Sequence, residues 1–283
     1  SFRLDAGTDL GGGLMVDAGK NIRLRSNGDN DIVSNGAISL TADEQVRVAS
    51  GVQLLGSNDI NITATGASSH SGAGVRIHGN SSATDFSQAT AIIASGNGSI
   101  VIDGTGGSVS DTTNEGVRIG SESAGDENSV LIGAASGDLT ITGTAGTWDA
   151  DSETGATQQA GLSIRSATLR TTAGSAITLT GTGPTGLPAP AGTTYDDRDG
   201  VVIENNVLIQ TRVANDAGLA SDYGAIAISG TAYGTGEGID ANDDNTQRRI
   251  LAGKGGVSLT GVVADQPTGD RPGDGNGVVL RKF

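Results

Sequence analysis

An all-β chain wound as a right-handed parallel β-helix, with three short strands per coil, is the fold class that this sequence predicts. Three observations predict it. The phrase Gly137-Asp138-Leu139-Thr140-Ile141-Thr142-Gly143-Thr144 alternates apolar and polar residues with period two. Leu139 and Ile141 therefore face one side of a strand, while Asp138, Thr140 and Thr142 face the other. The phrase also recurs: its first inward residues are Ile60, Ile100, Leu139, Ile177, Ile226 and Val257, at steps of 40, 39, 38, 49 and 31 residues. A second template recurs beside it, in Gly74-Val-Arg-Ile, Gly116-Val-Arg-Ile, Gly161-Leu-Ser-Ile, Gly200-Val-Val-Ile and Gly277-Val-Val-Leu, with Gly238-Ile-Asp-Ala as a weaker copy. An internal repeat of this length decides architecture before any site is considered.

Taken in order, residues 1–66 carry short, dense repeats. Apolar alternation appears at Leu14–Val16, Ile22–Leu24, Ile32–Val33, Ile38–Leu40, Val46–Val48, Val52–Leu54 and Ile60–Ile62. Gly, Asn, Asp and Ser separate these runs and are turn formers. No helical spacing and no capping box interrupts them. From 67 to 283 the repeat lengthens to about 40 residues, with a first strand (the Gly-Val-Arg-Ile template), a second strand and a third (the opening phrase). The second strands are Ile92-Ile93, Val130–Ile132, Thr168–Arg170, Val207–Ile209 and Ile250-Leu251. Variable insertions follow the third strand at 107–115, 146–160, 184–199 and 264–276. Repeated loop placement suits a solenoid, in which insertions project as long loops from one corner. The whole chain, 1–283, reads as one β-helix domain, a rod of roughly 40 Å by strand spacing. Ser1 is not an initiator, and Ser1-Phe2-Arg3-Leu4 and Gly277–Phe283 both read as strands. The expectation is a processed chain or a segment of a longer rod.

Composition narrows the function. Seventeen basic residues stand against 32 acidic ones, a net charge of −15. That balance disfavours nucleic acid, where affinity comes from Lys and Arg neutralising phosphates, and anionic membrane surfaces. No apolar run is long enough for membrane insertion as a helix. Cysteine is absent, which excludes disulfides and thiolate chemistry.

Phrases such as Leu139-Thr-Ile-Thr-Gly-Thr and Ile177-Thr-Leu-Thr-Gly-Thr resemble the repeats of filamentous-haemagglutinin-type bacterial exoproteins. The resemblance implies a right-handed β-helix used for adhesion and surface structure, located outside the cell or on its surface. No functional residue carries over, because that family is not defined by a catalytic motif.

Candidate sites follow from residue type and position. Trp148, Tyr195 and Tyr233 fall in the segments after the third strand. Their rings could stack on surface glycans, or fold back and pin each loop to the rod. Acidic clusters occupy the same segments, and Asp196, Asp197 and Asp199 are candidate calcium ligands, since calcium takes closely spaced oxygens; surface solubilisation explains them equally well. No other cofactor is expected. Glycoside hydrolysis would need two carboxylates about 5–9 Å apart, and the expectation is no enzyme. A carbohydrate-active β-helix, binding or cleaving polysaccharide, is the alternative, and ice binding through outward threonines a further one. His70 and His78 read as solvated surface. Arg76 and Arg118 occupy equivalent outward positions, but the series continues Ser163, Val202, Asp240, Val279 and reads as a mixed solvated face, not a basic stripe. Phe2 and Phe283 suit burial against a neighbour, so the expected partner is the protein itself, head to tail or as a rod segment.

Overall fold

The computed structural model describes residues 2–5, 8–26, 31–66, 72–80, 89–94, 96–108, 114–120, 129–147, 159–172, 174–185, 198–211, 224–234, 236–241, 248–252, 254–264 and 275–280. Within these, 23 β-strands form and every strand pairing is parallel. Three short repeats come first: β1 (Phe2–Asp5), β2 (Thr8–Leu10), β3 (Leu14–Ala18); β4 (Asn21–Arg25), β5 (Asp31–Ser34), β6 (Ile38–Ala42); β7 (Gln45–Val48), β8 (Gln53–Gly56), β9 (Ile60–Ala64). The long repeats follow: β10 (Val75–Ile77), β11 (Thr90–Ala94), β12 (Ile100–Thr105); β13 (Val117–Ile119), β14 (Val130–Ala134), β15 (Leu139–Thr144). Next come β16 (Leu162–Thr171) and β17 (Ile177–Thr182), then β18 (Val201–Gln210) and β19 (Ile226–Tyr233). The last are β20 (Ile239–Ala241), β21 (Arg248–Leu251), β22 (Val257–Ala264) and β23 (Val278–Leu280).

All third strands stack into one eight-stranded sheet, in the order β3-β6-β9-β12-β15-β17-β19-β22. First and second strands form two rows that join into a 15-stranded sheet. They join because β16 and β18 each run through both rows. Ser166 (φ 50°) and Asn205 (φ 59°) turn that corner with one left-handed residue apiece, a conformation that Asn tolerates better than most side chains. The expectation of three separate strands in every repeat is corrected at these two.

Register follows the repeat. Leu139 pairs with Ile177, Ile141 with Leu179 and Gly143 with Gly181; Ile177 pairs in turn with Ile226. Inward residues such as Ile100, Leu139, Ile141, Leu179 and Ile226 are fully buried, while Thr140, Thr142, Thr178 and Thr180 between them keep access to solvent. Burying each aliphatic side chain contributes about 1.5–3 kcal/mol. Like residues stacked across neighbouring strands pack the interior continuously. At the corner before the third strand, side chains tie one repeat to the next: Asp59 Oδ1 accepts from the Ser99 amide (2.8 Å) and Asp138 Oδ1 from the Ala176 amide (2.8 Å).

The two recurring glycines meet each other. A Cβ on Gly143 would collide with the Gly161 carbonyl, one on Gly181 with the Gly200 carbonyl, and one on Gly230 with the Gly238 carbonyl. The chain leaves the end of a third strand, makes an excursion, and returns against that same strand end. Backbone approaches backbone there, and only a residue without a side chain fits. Long connections are not confined to that corner, however. Residues 78–89 and 120–129 separate first from second strands, and 211–225 separate β18 from β19. The one-corner expectation is corrected: it rested on the four segments after the third strand and overlooked insertions at the other two corners.

Candidate functional site

The first strands of five consecutive repeats share one pattern, apolar-Arg-apolar: Phe2-Arg3-Leu4, Ile22-Arg23-Leu24, Val46-Arg47-Val48, Val75-Arg76-Ile77 and Val117-Arg118-Ile119. Period two turns the flanking residues to one face and each arginine to the other. Register then stacks them: Arg3 pairs with Arg23, Arg23 with Arg47, Arg47 with Arg76 and Arg76 with Arg118. The mixed solvated face is therefore corrected. Followed from Arg118 towards the C-terminus the series is mixed, Arg118 pairing with Ser163; followed towards the N-terminus it is an unbroken column of arginine.

Stacked like charges oppose folding. A pair at the strand spacing of about 4.8 Å repels by roughly 1 kcal/mol in water, less in salt. The column eases this by pairing at one end. Arg118 is 6% exposed and lies 3.4 Å from Glu115 Oε2. Arg76 is half-buried, and Arg3, Arg23 and Arg47 are exposed.

Beside the exposed part lies a cleft of about 360 Å³, lined by Arg23, Arg25, Arg47, Ala49, Ser50 and His78 among others. It sits where the first strand ends and the chain turns towards the second, and it draws on β4, β7 and the residue following β10. His78 is half-buried rather than solvated as the sequence suggested, and its amide donates to the Val48 carbonyl (2.9 Å). Burial, then the charges of Arg76, Arg47 and Arg118, lower its imidazole to about 4, so the ring is neutral at pH 7. Its Nε2 is buried and meets no hydrogen-bond partner among the described residues.

Of the aromatic candidates, Tyr233 is the last residue of β19, paired with Ala264 and half-buried, rather than part of a loop. Trp148 and Tyr195 lie outside the described residues. Of the calcium candidates, Asp196 and Asp197 lie outside them too, while Asp199 is 1% exposed. Its Oδ1 accepts from the Glu237 amide (2.7 Å). Burial pushes its carboxyl well above the usual carboxylate range, the Glu237 amide opposes this, and the nearby Asp240 and Glu237 carboxylates add to it. No group of three or more metal-ligating side chains occurs among the described residues. Phe2 is 36% exposed, and Phe283 lies outside the described residues. Thr140, Thr142 and Thr144 pair with Thr178, Thr180 and Thr182, but Val101 and Asp103 on one side and Ala227 and Ser229 on the other interrupt the outward threonines.

Comparison with protein-family models, with curated proteins and with solved structures finds no match.

Proposed function

We propose that the chain is a right-handed parallel β-helix of the filamentous-haemagglutinin-like kind, serving as a stiff rod segment in a secreted or cell-surface structural or adhesive protein. The observation that carries this reading is the continuity of register. One third-strand ladder runs from β3 to β22 without a change of direction. Parallel pairing of consecutive copies gives each repeat contact with its neighbours, so length is added by adding repeats. Such a fold sets distance and presents surface, and needs no catalytic centre to do so.

Continuation of the rod, by further chain or by a second copy placed head to tail, fits the exposed interior positions of the outermost strands. Val257 is 46% exposed, against 0% for its partner Ile226, and Val278 is 37% exposed, against 0% for Ile239. Phe2, at 36%, pairs with the fully buried Ile22. A covering coil would bury these, and a head-to-tail contact of identical copies builds open filaments. Antibody labelling of intact producing cells tests the placement. Label on the surface or in the medium is expected, and label confined to lysed cells would overturn it.

A further inference from the structure

The stacked, exposed charges of Arg23 and Arg47 oppose the assembly of the rod rather than help it. We propose that the arginine column and the cleft beside it bind a linear polycarboxylate: an acidic polysaccharide with one carboxylate per sugar residue, laid along the direction in which the strands stack. Arg23 and Arg47 are adjacent in register, exposed, and joined at the cleft by Arg25 and His78. A guanidinium presents a planar fork that matches a carboxylate with two parallel hydrogen bonds. Successive forks stand one strand apart, about 4.8 Å, comparable to the length of one sugar residue. A chain carrying one charge per residue therefore has a charge spacing commensurate with that of the arginines. The like-charge repulsion within the column is relieved by that ligand and by nothing apolar.

His78 adds a neutral contact. His78 lines the cleft, and an uncharged imidazole offers one donor and one acceptor nitrogen to a polar ligand. Charge spacing argues against duplex nucleic acid, which carries one charge per about 1.7 Å, against one arginine per strand spacing of about 4.8 Å. Single strands bind through aromatic platforms, and no Phe, Tyr or Trp lines the cleft among the described residues. This site lies on the first strands, and the inference does not depend on surface display of the rod.

Calorimetry on the full chain at low salt tests it, with hexagalacturonate as probe. Its methyl ester, inorganic sulfate, a sulfated hexasaccharide and an oligodeoxynucleotide of equal charge serve as comparisons. Hexagalacturonate should bind at least tenfold more tightly than inorganic sulfate and weaken as salt rises. The NMR titration of His78 should move up from about 4 on saturation, as the ligand offsets the neighbouring arginines. The double variant Arg23→Gln, Arg47→Gln should lose at least tenfold in affinity with its melting temperature kept, while Lys254→Gln should lose none. Equal binding of the methyl ester, or an unchanged double variant, would overturn the site. Tighter binding of the oligonucleotide or the sulfated hexasaccharide would overturn the polycarboxylate assignment. Binding of hexagalacturonate no tighter than inorganic sulfate would overturn the extended track. Each result stands whatever the cell-labelling experiment shows.

Discussion

The short repeats of β1–β9 and the long repeats of β10–β23 share one ladder and solve its corners differently. Across their boundary Val46 pairs with Val75 and Ala64 with Gly104, so the interior does not register the change. In the short repeats the third strand ends in Ala18, Ala42 or Ala64, and only two residues separate β3 from β4 and β6 from β7. In the long repeats the same register position holds Gly104, Gly143, Gly181, Gly230 and Gly261, each facing the glycine that opens a first strand. A tight corner keeps the backbones apart, and alanine fits. At Gly104, Gly143, Gly181, Gly230 and Gly261 the carbonyl of the returning glycine meets the strand end, and glycine is required there; Ala64 keeps alanine although residues 65–74 separate it from β10. Loop length is thus set at the corner, at small cost to the core.

The largest effect should come from charging the shared interior. Leu40→Asp in the short part and Ile141→Asp in the long part each place an unpaired carboxylate among fully buried side chains, and each should cost about 4–5 kcal/mol or abolish folding. Equal, global loss in thermal melts would confirm one cooperative core; local melting confined to one part would break it into two. Next is the corner. Gly143→Ala should cost about 2–4 kcal/mol through the collision with Gly161, whereas Ala42→Gly in the short part should cost about 0.5–1 kcal/mol. Comparable denaturant midpoint shifts for the two would sink the corner argument.

The long part also carries a pH signature that the short part lacks in Asp199. Its pKa is raised in the fold above the unfolded value of about 3.8, so the native state holds that proton more tightly. Its stabilising contribution is full below about pH 3.8 and is lost as pH rises to the folded pKa. Asp199→Asn keeps an oxygen for the Glu237 amide and removes the titrating group, so it should flatten that slope in melting temperature against pH. His78, with its pKa lowered to about 4, has the opposite sign: stability falls as pH drops from about 6.5 to 4, and His78→Gln should remove that component. Smallest is Thr140→Asp, which changes a solvent-accessible position and should alter stability by less than about 0.5 kcal/mol.

Much of the fold was legible because its signal is periodic. Leu139, Ile177 and Ile226 repeat with a polar residue between each inward pair, and period two fixes both face and register. The change of repeat at residue 66 was equally visible. The continuous β16 and β18 were not, because the turn rests on one left-handed residue, although Asn205-Asn206 carries the right chemistry for it. The arginine column was missed for a different reason. Arg76 and Arg118 were compared with the long repeats alone, while Arg3, Arg23 and Arg47 belonged to segments already read as short strands. Apolar-Arg-apolar was present in all five, but only the pairing of short with long repeats turns it into a column. The raised carboxyl of Asp199 depends on burial among neighbours about 40 residues away, such as Glu237 and Asp240, which local spacing does not encode.

The stacking of one repeat per strand spacing, unbroken from short repeats to long, is most directly tested by electron-spin distances along one outward column. With one label fixed at Thr41, second labels at Thr180, Ser229 and Thr260 lie four, five and six register steps away. Mean distances of about 19, 24 and 29 Å, rising by one strand spacing per repeat, are predicted. Distances that fail to rise by equal steps, or a set offset as a whole from four, five and six spacings, would contradict a continuous ladder across the boundary.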